Sequence, residues 1–305
     1  MIVVLSGGTG TPKLLQGLKE AVAQEELAVI VNTAEDEWLP HGYFSPDIDT
    51  VLYTLSDQIN EETWYGVKGD SFTTHQVLLN LGYDELLKIG DRDRASHILR
   101  GWLMRRGMSL SKAVDFQRKA MGIRAKVYPM SDDKVRTVIV TSKGSMSLHE
   151  YLIRHSALNV KEVLFEGIEK AEALPDAILA IRRADGIIIG PSNPISSILP
   201  IVSLRGIREA IKEMRQRCIA VSPIIGEKPV SGPADRFMAA KGFEISFRGV
   251  AELYREFVSK FVIDSSDSAE PVKELGMKCY KTNILMKTMN DKKALAEFVL
   301  DMLRS

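Results

Sequence analysis

Only two cysteines occur in 305 residues, Cys218 and Cys279, so a disulfide framework is excluded. They stand too far apart in the chain to begin a metal-ligand spacing. No apolar run approaches the ~20 residues of a membrane span. An excess of either charge is also missing. Forty basic and forty acidic side chains cancel, so no global field draws the protein to nucleic acid or to a membrane surface. Met1-Ile2-Val3-Val4-Leu5 has no basic lead and meets glycine too soon for a secretory leader. Internal repeats, low-complexity tracts and long Pro/Ser linkers are absent. A globular protein with reduced thiols, expected in the cytoplasm, is what these absences leave. Hydrophobic residues at 45% and charged ones at 26% suit that class.

The most informative stretch lies at the start. The β-branched run Ile2-Val3-Val4-Leu5 meets Ser6-Gly7-Gly8-Thr9-Gly10-Thr11, which opens into Pro12-Lys13-Leu14-Leu15-Gln16-Gly17-Leu18. The order reads buried strand, glycine loop, helix, with Thr11 as a cap and Pro12 in the first turn. Glycines let the backbone approach a ligand, and free amides at a helix start suit an anion. The loop therefore predicts a bound phosphate, with Gly8, Thr9, Gly10, Thr11 and Lys13 around it; the plainer reading is a tight turn without ligand. A dinucleotide fingerprint fails, because Lys13 stands where its third glycine belongs and the run Leu27–Val31 ends in Asn32 rather than an acid. A Walker loop fails as well, since Lys13 follows proline and precedes leucine.

Strand-like runs recur at Leu27–Val31, Val135–Thr141, Val163–Phe165, Gly186–Ile189, Cys218–Val221 and Lys278–Thr282. Helical spacings separate most of them, among them Leu204-Ile207-Ile211-Met214 and Ala251-Tyr254-Phe257-Val258-Phe261. This alternation predicts an α/β fold, a Rossmann-like parallel sheet with helices on both faces. From about 61 to 124 the periodic segments are helical only. One domain is expected, with its sheet core in about 1–60 and 125–305 and a helical insertion between.

Acids cluster after the second run, at Glu35 and Asp36, and again at Asp47 and Asp49 in the first turn of a helix begun by Ser45 and Pro46. A dipole-complementing role explains Asp47 well and is worth ~0.3–1 kcal/mol. Asp49, between Ile48 and the apolar-stripe residue Val51, need not share its direction. Glu35, Asp36 and Asp49 taken together suit Mg²⁺ beside a diphosphate at a strand's carboxyl end. His41, in the same loop, reads as a solvated histidine. Gly190-Pro191-Ser192-Asn193-Pro194 and Ser222-Pro223-Ile224-Ile225-Gly226 each follow another buried run. Three polar loops on one rim outline a nucleotide-sized crevice. In the insertion, Lys88-Ile89-Gly90-Asp91-Arg92-Asp93 reads either as a capped, solvated helix start or as a lid over a second substrate. Trp38, Tyr43, Phe44, Trp64 and Trp102 are expected mostly in the core.

Gly7-Gly8-Thr9-Gly10, Asn32-Thr33-Ala34-Glu35-Asp36, Ser45-Pro46-Asp47-Ile48-Asp49-Thr50, Gly90-Asp91-Arg92-Asp93, Pro129-Met130-Ser131-Asp132-Asp133 and Gly190-Pro191-Ser192-Asn193-Pro194 occur in this order. Together they resemble the 2-phospho-L-lactate transferase family, archaeal enzymes that make the deazaflavin coenzyme of methanogens. The resemblance implies transfer of phospholactate from lactyl-2-diphospho-5′-guanosine to the ribityl 5′-hydroxyl of the deazaflavin FO. GMP would be released, with Mg²⁺ as cofactor and a homodimer as the assembly. It further implies that the glycine loop and Ser192, Asn193 and Pro194 serve the guanosine diphosphate. Asp49 and Lys88 would serve FO, and Asp36 and Asp49 would serve the metal. The chemistry of the step makes Asp49 the expected catalytic carboxylate, orienting the hydroxyl by hydrogen bond or through the metal and accepting its proton late. Glu35 departs from the pattern, standing where a second aspartate is expected. Two other classes compete: a nucleotide-sugar-binding regulator resembling the gluconeogenesis-factor family, and an NAD-dependent oxidoreductase.

Overall fold

A computed structural model describes residues 1–304. Its centre is a seven-stranded sheet. In chain order the strands are β1 (Ile2–Ser6), β2 (Leu27–Val31), β3 (Lys126–Pro129), β4 (Gly186–Ile189), β5 (Cys218–Val221), β6 (Lys260–Asp264) and β7 (Lys278–Thr282). Across the sheet the order is β7-β6-β5-β4-β1-β2-β3, with every neighbouring pair parallel. The chain winds outward from β1 in one direction, then returns to β4 on the other side. That reversal leaves a crevice between the carboxyl ends of β1 and β4, where open α/β sheets bind ligands.

Alternate side chains feed two cores. Val3, Leu5, Ile187 and Ile189 enter one face, while Val4, Val29, Ile188 and Ile219 enter the other. Helices cover both faces, so the central strands β1, β2, β4 and β5 are apolar on both sides and read as continuous runs. Helix α1 (Gly10–Ala21) packs on the C-terminal helix Met289–Arg304. Gly17 permits this, since a Cβ there would strike the Lys292 carbonyl. Helix α2 (Pro46–Leu55) follows a short hairpin, Glu37–Leu39 with Gly42–Phe44. Three further helices lie between α2 and β3: α3 (Thr73–Asn80), α4 (Asp91–Arg105) and α5 (Leu110–Ala120). Among the described residues no helix is long and apolar enough to cross a membrane. Both cysteines are free thiols.

Three sequence readings need correction. The runs at Arg136–Thr141 and Glu162–Glu166 are strands, but they join Gly144–Ser147 in a separate antiparallel sheet. The stretch read as a helix from Ala251 to Phe261 ends at Tyr254, and Phe261 lies in β6. The expected cap Thr11 lies inside α1 and makes no cap bond; its hydroxyl faces the loop after β4.

Candidate active site at the β1–β4 crevice

Two loops are tied together at the crevice. Ser192 Oγ accepts the amides of Gly7 and Thr11, each at 3.2 Å, and lies 2.7 Å from the Thr11 hydroxyl. The Gly8 and Thr9 amides are left without a protein partner among the described residues. Asn193 Oδ1 accepts the amides of Ile195 and Ser196 at 3.0 and 3.1 Å, which fixes the turn begun by Pro194. A cavity of about 280 Å³ opens over this junction. Gly8, Thr9 and Gly10 line one wall, Ser192 and Asn193 another, and Ser231 to Pro233 close the rim. Lys13 stands outside it, beside an adjoining cavity, with its ammonium 5.0 Å from the Trp64 ring centroid. Lys292 covers the same ring at 4.7 Å, and Trp64 is held at φ 54°, a left-handed conformation rare for an aromatic residue. Burial and Lys292 together lower the Lys13 pKa.

The acids divide into two groups. Glu35 and Asp47 line the cavity. A Cβ on Gly8 would displace Asp47 Oδ1, so glycine lets the loop lie against the Asp47 carboxyl as it stands. Asn32 Nδ2 donates to Asp47 Oδ2 at 2.9 Å and so aims the carboxyl. Burial pushes the Asp47 pKa up to about 7. Burial also raises Glu35, with Asp47 and Asp36 as repelling neighbours. Asp36 is raised mainly by burial as well; its Oδ1 accepts from Ser45, the expected helix cap, at 2.7 Å, and its Oδ2 is buried with no hydrogen-bond partner among the described residues. The place of Asp47 on the cavity wall went unseen in the sequence because a helix-start acid has a sufficient local explanation.

Asp49 turns the other way, toward the insertion. Fully buried Arg100 of α4 grips both of its oxygens, with Nη1 to Oδ2 at 3.1 Å. His97 Nε2 lies 3.2 Å from Asp49 Oδ2 and 3.2 Å from Asp93 Oδ1. Asp49, Asp93 and His97 form the one three-residue group with metal-ligand proximity among the described residues, and Asp36 is outside it. His41 is half-buried rather than solvated: its Nε2 is 3.2 Å from His97 Nδ1, and Arg94 donates to its Nδ1 at 3.0 Å. Burial raises the Asp49 carboxyl, but Arg100 and then His97 outweigh it and hold the pKa at about 2.

This pairing changes the expected cost of losing Asp49. A helix-dipole role would make Asp49→Asn a small perturbation, whereas removing one partner of a buried ion pair costs ~3–5 kcal/mol. For a chain of this length that is a fall in Tm of roughly 5–8 °C, measurable by calorimetry. The pH dependence has a definite sign. With its pKa at about 2 rather than the ordinary 3.8, Asp49 stabilises the fold above pH ~4, and that contribution is lost as pH falls toward 2. The stability gap between wild type and Asp49→Asn therefore narrows across that window. A gap that is flat from pH 5 to 2 would show that the carboxylate is not paired in solution.

Lys88 is exposed, in the segment before α4, with its ammonium 4.4 Å from the Phe72 ring centroid. Phe72 borders a cavity of about 500 Å³, shared with Asn60, Val67 and Lys68. Asp91 does cap, but it caps α3: its carboxylate accepts the Thr73 and Thr74 amides at 3.0 Å. Asp70 returns the favour to α4 through the Arg92 and Asp93 amides. Of the five aromatics expected mostly in the core, only Phe44 is fully buried, and Trp38 and Trp102 are 45% and 52% exposed.

Residues 2–302 match the family described as 2-phospho-L-lactate transferase CofD. A 2-phospho-L-lactate transferase of Methanocaldococcus jannaschii is 50% identical over 306 residues, covering 99% of this chain and 97% of that protein. That of Methanosarcina acetivorans is 46% identical over 302 residues, covering 98% of each. A UPF0052-family protein from Bacillus halodurans has the same fold, with a TM-score of 0.68 at 18% identity over 98% of both chains. Identity of this order over nearly the whole length is decisive for lineage: the chain belongs to the 2-phospho-L-lactate transferase family.

Proposed function

We propose that the protein transfers 2-phospho-L-lactate from lactyl-2-diphospho-5′-guanosine to the ribityl 5′-hydroxyl of FO, giving coenzyme F-420-0 and GMP, as a cytoplasmic enzyme. The observation that carries this reading is the meeting of the glycine loop, the Ser192 loop, Glu35 and Asp47 around one cavity. The hydroxyl oxygen bonds to the lactate-bearing phosphorus, and the bridging oxygen departs with GMP. Little covalent chemistry is asked of the protein, so positioning and charge neutralisation carry catalysis. The Gly8 and Thr9 amides face phosphate oxygens. Asp47, on the cavity wall and with a pKa near neutrality, takes the hydroxyl proton. Asp49, already ionised and gripped by Arg100, is too weak a base for that step. Its part is on the acceptor side, where it anchors α4.

The donor set fits Mg²⁺. Asp36 Oδ2 is a buried carboxylate oxygen lacking a partner, and mutual repulsion among Glu35, Asp36 and Asp47 favours a cation between them. Glu35 and Asp36 are the residues that would hold it, with Asp49 retained by Arg100. Bound there, Mg²⁺ would neutralise charge on the diphosphate. The homodimer remains part of the proposal, supported by exposed Ile98 and Trp102 on α4. Purified protein given both substrates should form F-420-0 and GMP in equal amounts, and chelation should stop it. Tight GDP binding without turnover would instead favour the regulator.

The 500 Å³ cavity beside Phe72 is the proposed seat of the deazaflavin ring, with Lys88 at its edge. Lys88→Ala should raise KM for FO by about five-fold, the loss of ~1 kcal/mol, and leave the donor's KM unchanged. A change in the donor's KM alone would move this segment to the nucleotide side.

A further inference from the structure

Between α2 and α3 the chain makes a tight loop, residues 59–67. Ile59 pairs with Val67 in a short antiparallel bridge, and both are buried in a small cluster with Tyr53 of α2. Inside the loop the Trp64 amide donates to the Asn60 carbonyl at 2.8 Å, and the Asn60 amide donates to the Gly66 carbonyl at 3.0 Å. These bonds hold Trp64 at its left-handed φ of 54°, which strains a residue with a bulky side chain. The strain sets the indole ring in place, with the ammonium groups of Lys13 and Lys292 at 5.0 and 4.7 Å from its centroid. Lys292 has partners of its own, Gln16 Oε1 at 2.6 Å and Glu61 Oε2 at 2.8 Å. Lys13 is repelled by Lys292 and has no carboxylate partner among the described residues. Its ammonium, resting on an aromatic ring one turn beyond the glycine loop, is free to meet an anion. The neighbouring residue, Tyr65, reaches the other substrate region: its hydroxyl donates to the Lys88 carbonyl at 3.0 Å. Asn60, Glu61 and Val67 of the same loop line the cavity of about 500 Å³. One strained loop thus carries a wall of that cavity, a bond to the Lys88 backbone and the support of Lys13.

We propose that Trp64 is a positioning residue that couples the two substrates: filling the cavity fixes the 59–67 loop, and the loop fixes the Lys13 ammonium against the anionic donor. The proposal rests on the reading above that this cavity seats the acceptor, and it adds a dependence of one site on the other. A diphosphate donor bound alone is open to water, and hydrolysis would consume it without product. A cation settled on the donor only once the acceptor is seated favours transfer over that loss. The link runs through one element with contacts at both ends, Tyr65 to Lys88 and Trp64 to Lys13. Because the effect is one on binding, each ligand must tighten the other by the same factor.

The test cuts the link at either end. Trp64→Gly removes the ring and takes up the left-handed backbone without strain, so the loop keeps its path. Tyr65→Phe removes only the bond to Lys88, and Trp64→Phe keeps a ring as the conservative control. Thermal melting confirms that each is folded. Titration calorimetry then measures GDP and FO separately, and each again with the other saturating. In wild type each ligand should tighten the other by about five-fold or more, the lower end of ordinary coupling. In Trp64→Gly and Tyr65→Phe that factor should fall to within about two-fold of unity, while FO alone binds as it does to wild type. Trp64→Phe should restore most of the coupling. A loop with a merely structural role would lower the melting temperature and leave the factor unchanged. Coupling equal to wild type in both folded variants overturns the proposal, as does independent binding of GDP and FO to wild type. Failure of the acceptor reading looks different: wild-type protein would then bind GDP but no FO, and the coupling would fall with that reading.

Discussion

Gly10→Val should weaken GDP binding by at least about 100-fold, ~2.7 kcal/mol, while FO affinity stays close to wild type. Gly10 is not in the left-handed region, so backbone strain is not the cause. The cause is the approach of two loops. A Cβ on Gly10 would overlap the Pro191 carbonyl, with the Pro191 carbon at 2.6 Å and the Ser192 amide nitrogen at 3.2 Å, and none of these is a flexible side chain. The loop after β4 must therefore retreat from the loop after β1. Retreat breaks the paired bonds from the Gly7 and Thr11 amides to Ser192 Oγ, and with them the seat for a diphosphate. Gly10→Ala introduces the same first carbon and should show most of the loss. Calorimetric titration with GDP, with circular dichroism to confirm the fold, is the measurement. Full GDP affinity in a folded valine variant would place the diphosphate elsewhere on the protein.

Why that loop was legible and other parts were not follows from the range of the interactions. β1, β2, β4 and β5 are buried or nearly so on both faces, and local composition declares them; β7, at the sheet edge, exposes Lys278 and Lys281. β6 was hidden because Tyr254, Phe257, Val258 and Phe261 happen to keep helical spacing across the point where a helix ends and a strand begins. Thr11 and Ser45 have the chemistry of helix caps, yet tertiary partners take their hydroxyls: Ser192 in one case and Asp36 in the other. The same override explains the acids. Nothing local distinguishes Asp47 from Asp49, since both lie in the first turn of α2. They are set apart by residues remote in the chain: Gly8 and Asn32 beside Asp47, Arg100 and His97 beside Asp49. Arg100 is 51 positions from the carboxylate it grips, and no periodicity of sequence encodes that contact.

That division makes Asp47→Asn the sharpest test of mechanism. The amide keeps the size of the carboxyl and, once turned, an oxygen to accept from Asn32, but it cannot take a proton from the attacking hydroxyl. At saturating donor and FO, kcat should fall by about 10²–10⁴, the range of a lost general base. Stability should move the opposite way from that of Asp49→Asn. Burial lifts the Asp47 pKa from the ordinary 3.8 to about 7, so the folded protein holds a proton that the unfolded chain has released. Stability contributed by that proton is present below pH ~4 and lost as pH rises through 7. The asparagine variant carries no such loss and should melt at or above the wild-type temperature at pH 8. A variant that is inactive but well folded, alongside an Asp49→Asn protein that melts early, assigns the proton to Asp47 and the scaffold to Asp49. If Asp47→Asn keeps activity within a few-fold of wild type, then Asp47 only complements its helix dipole. The hydroxyl proton must then leave by another route, with Glu35, on the same cavity wall, the next carboxylate to replace.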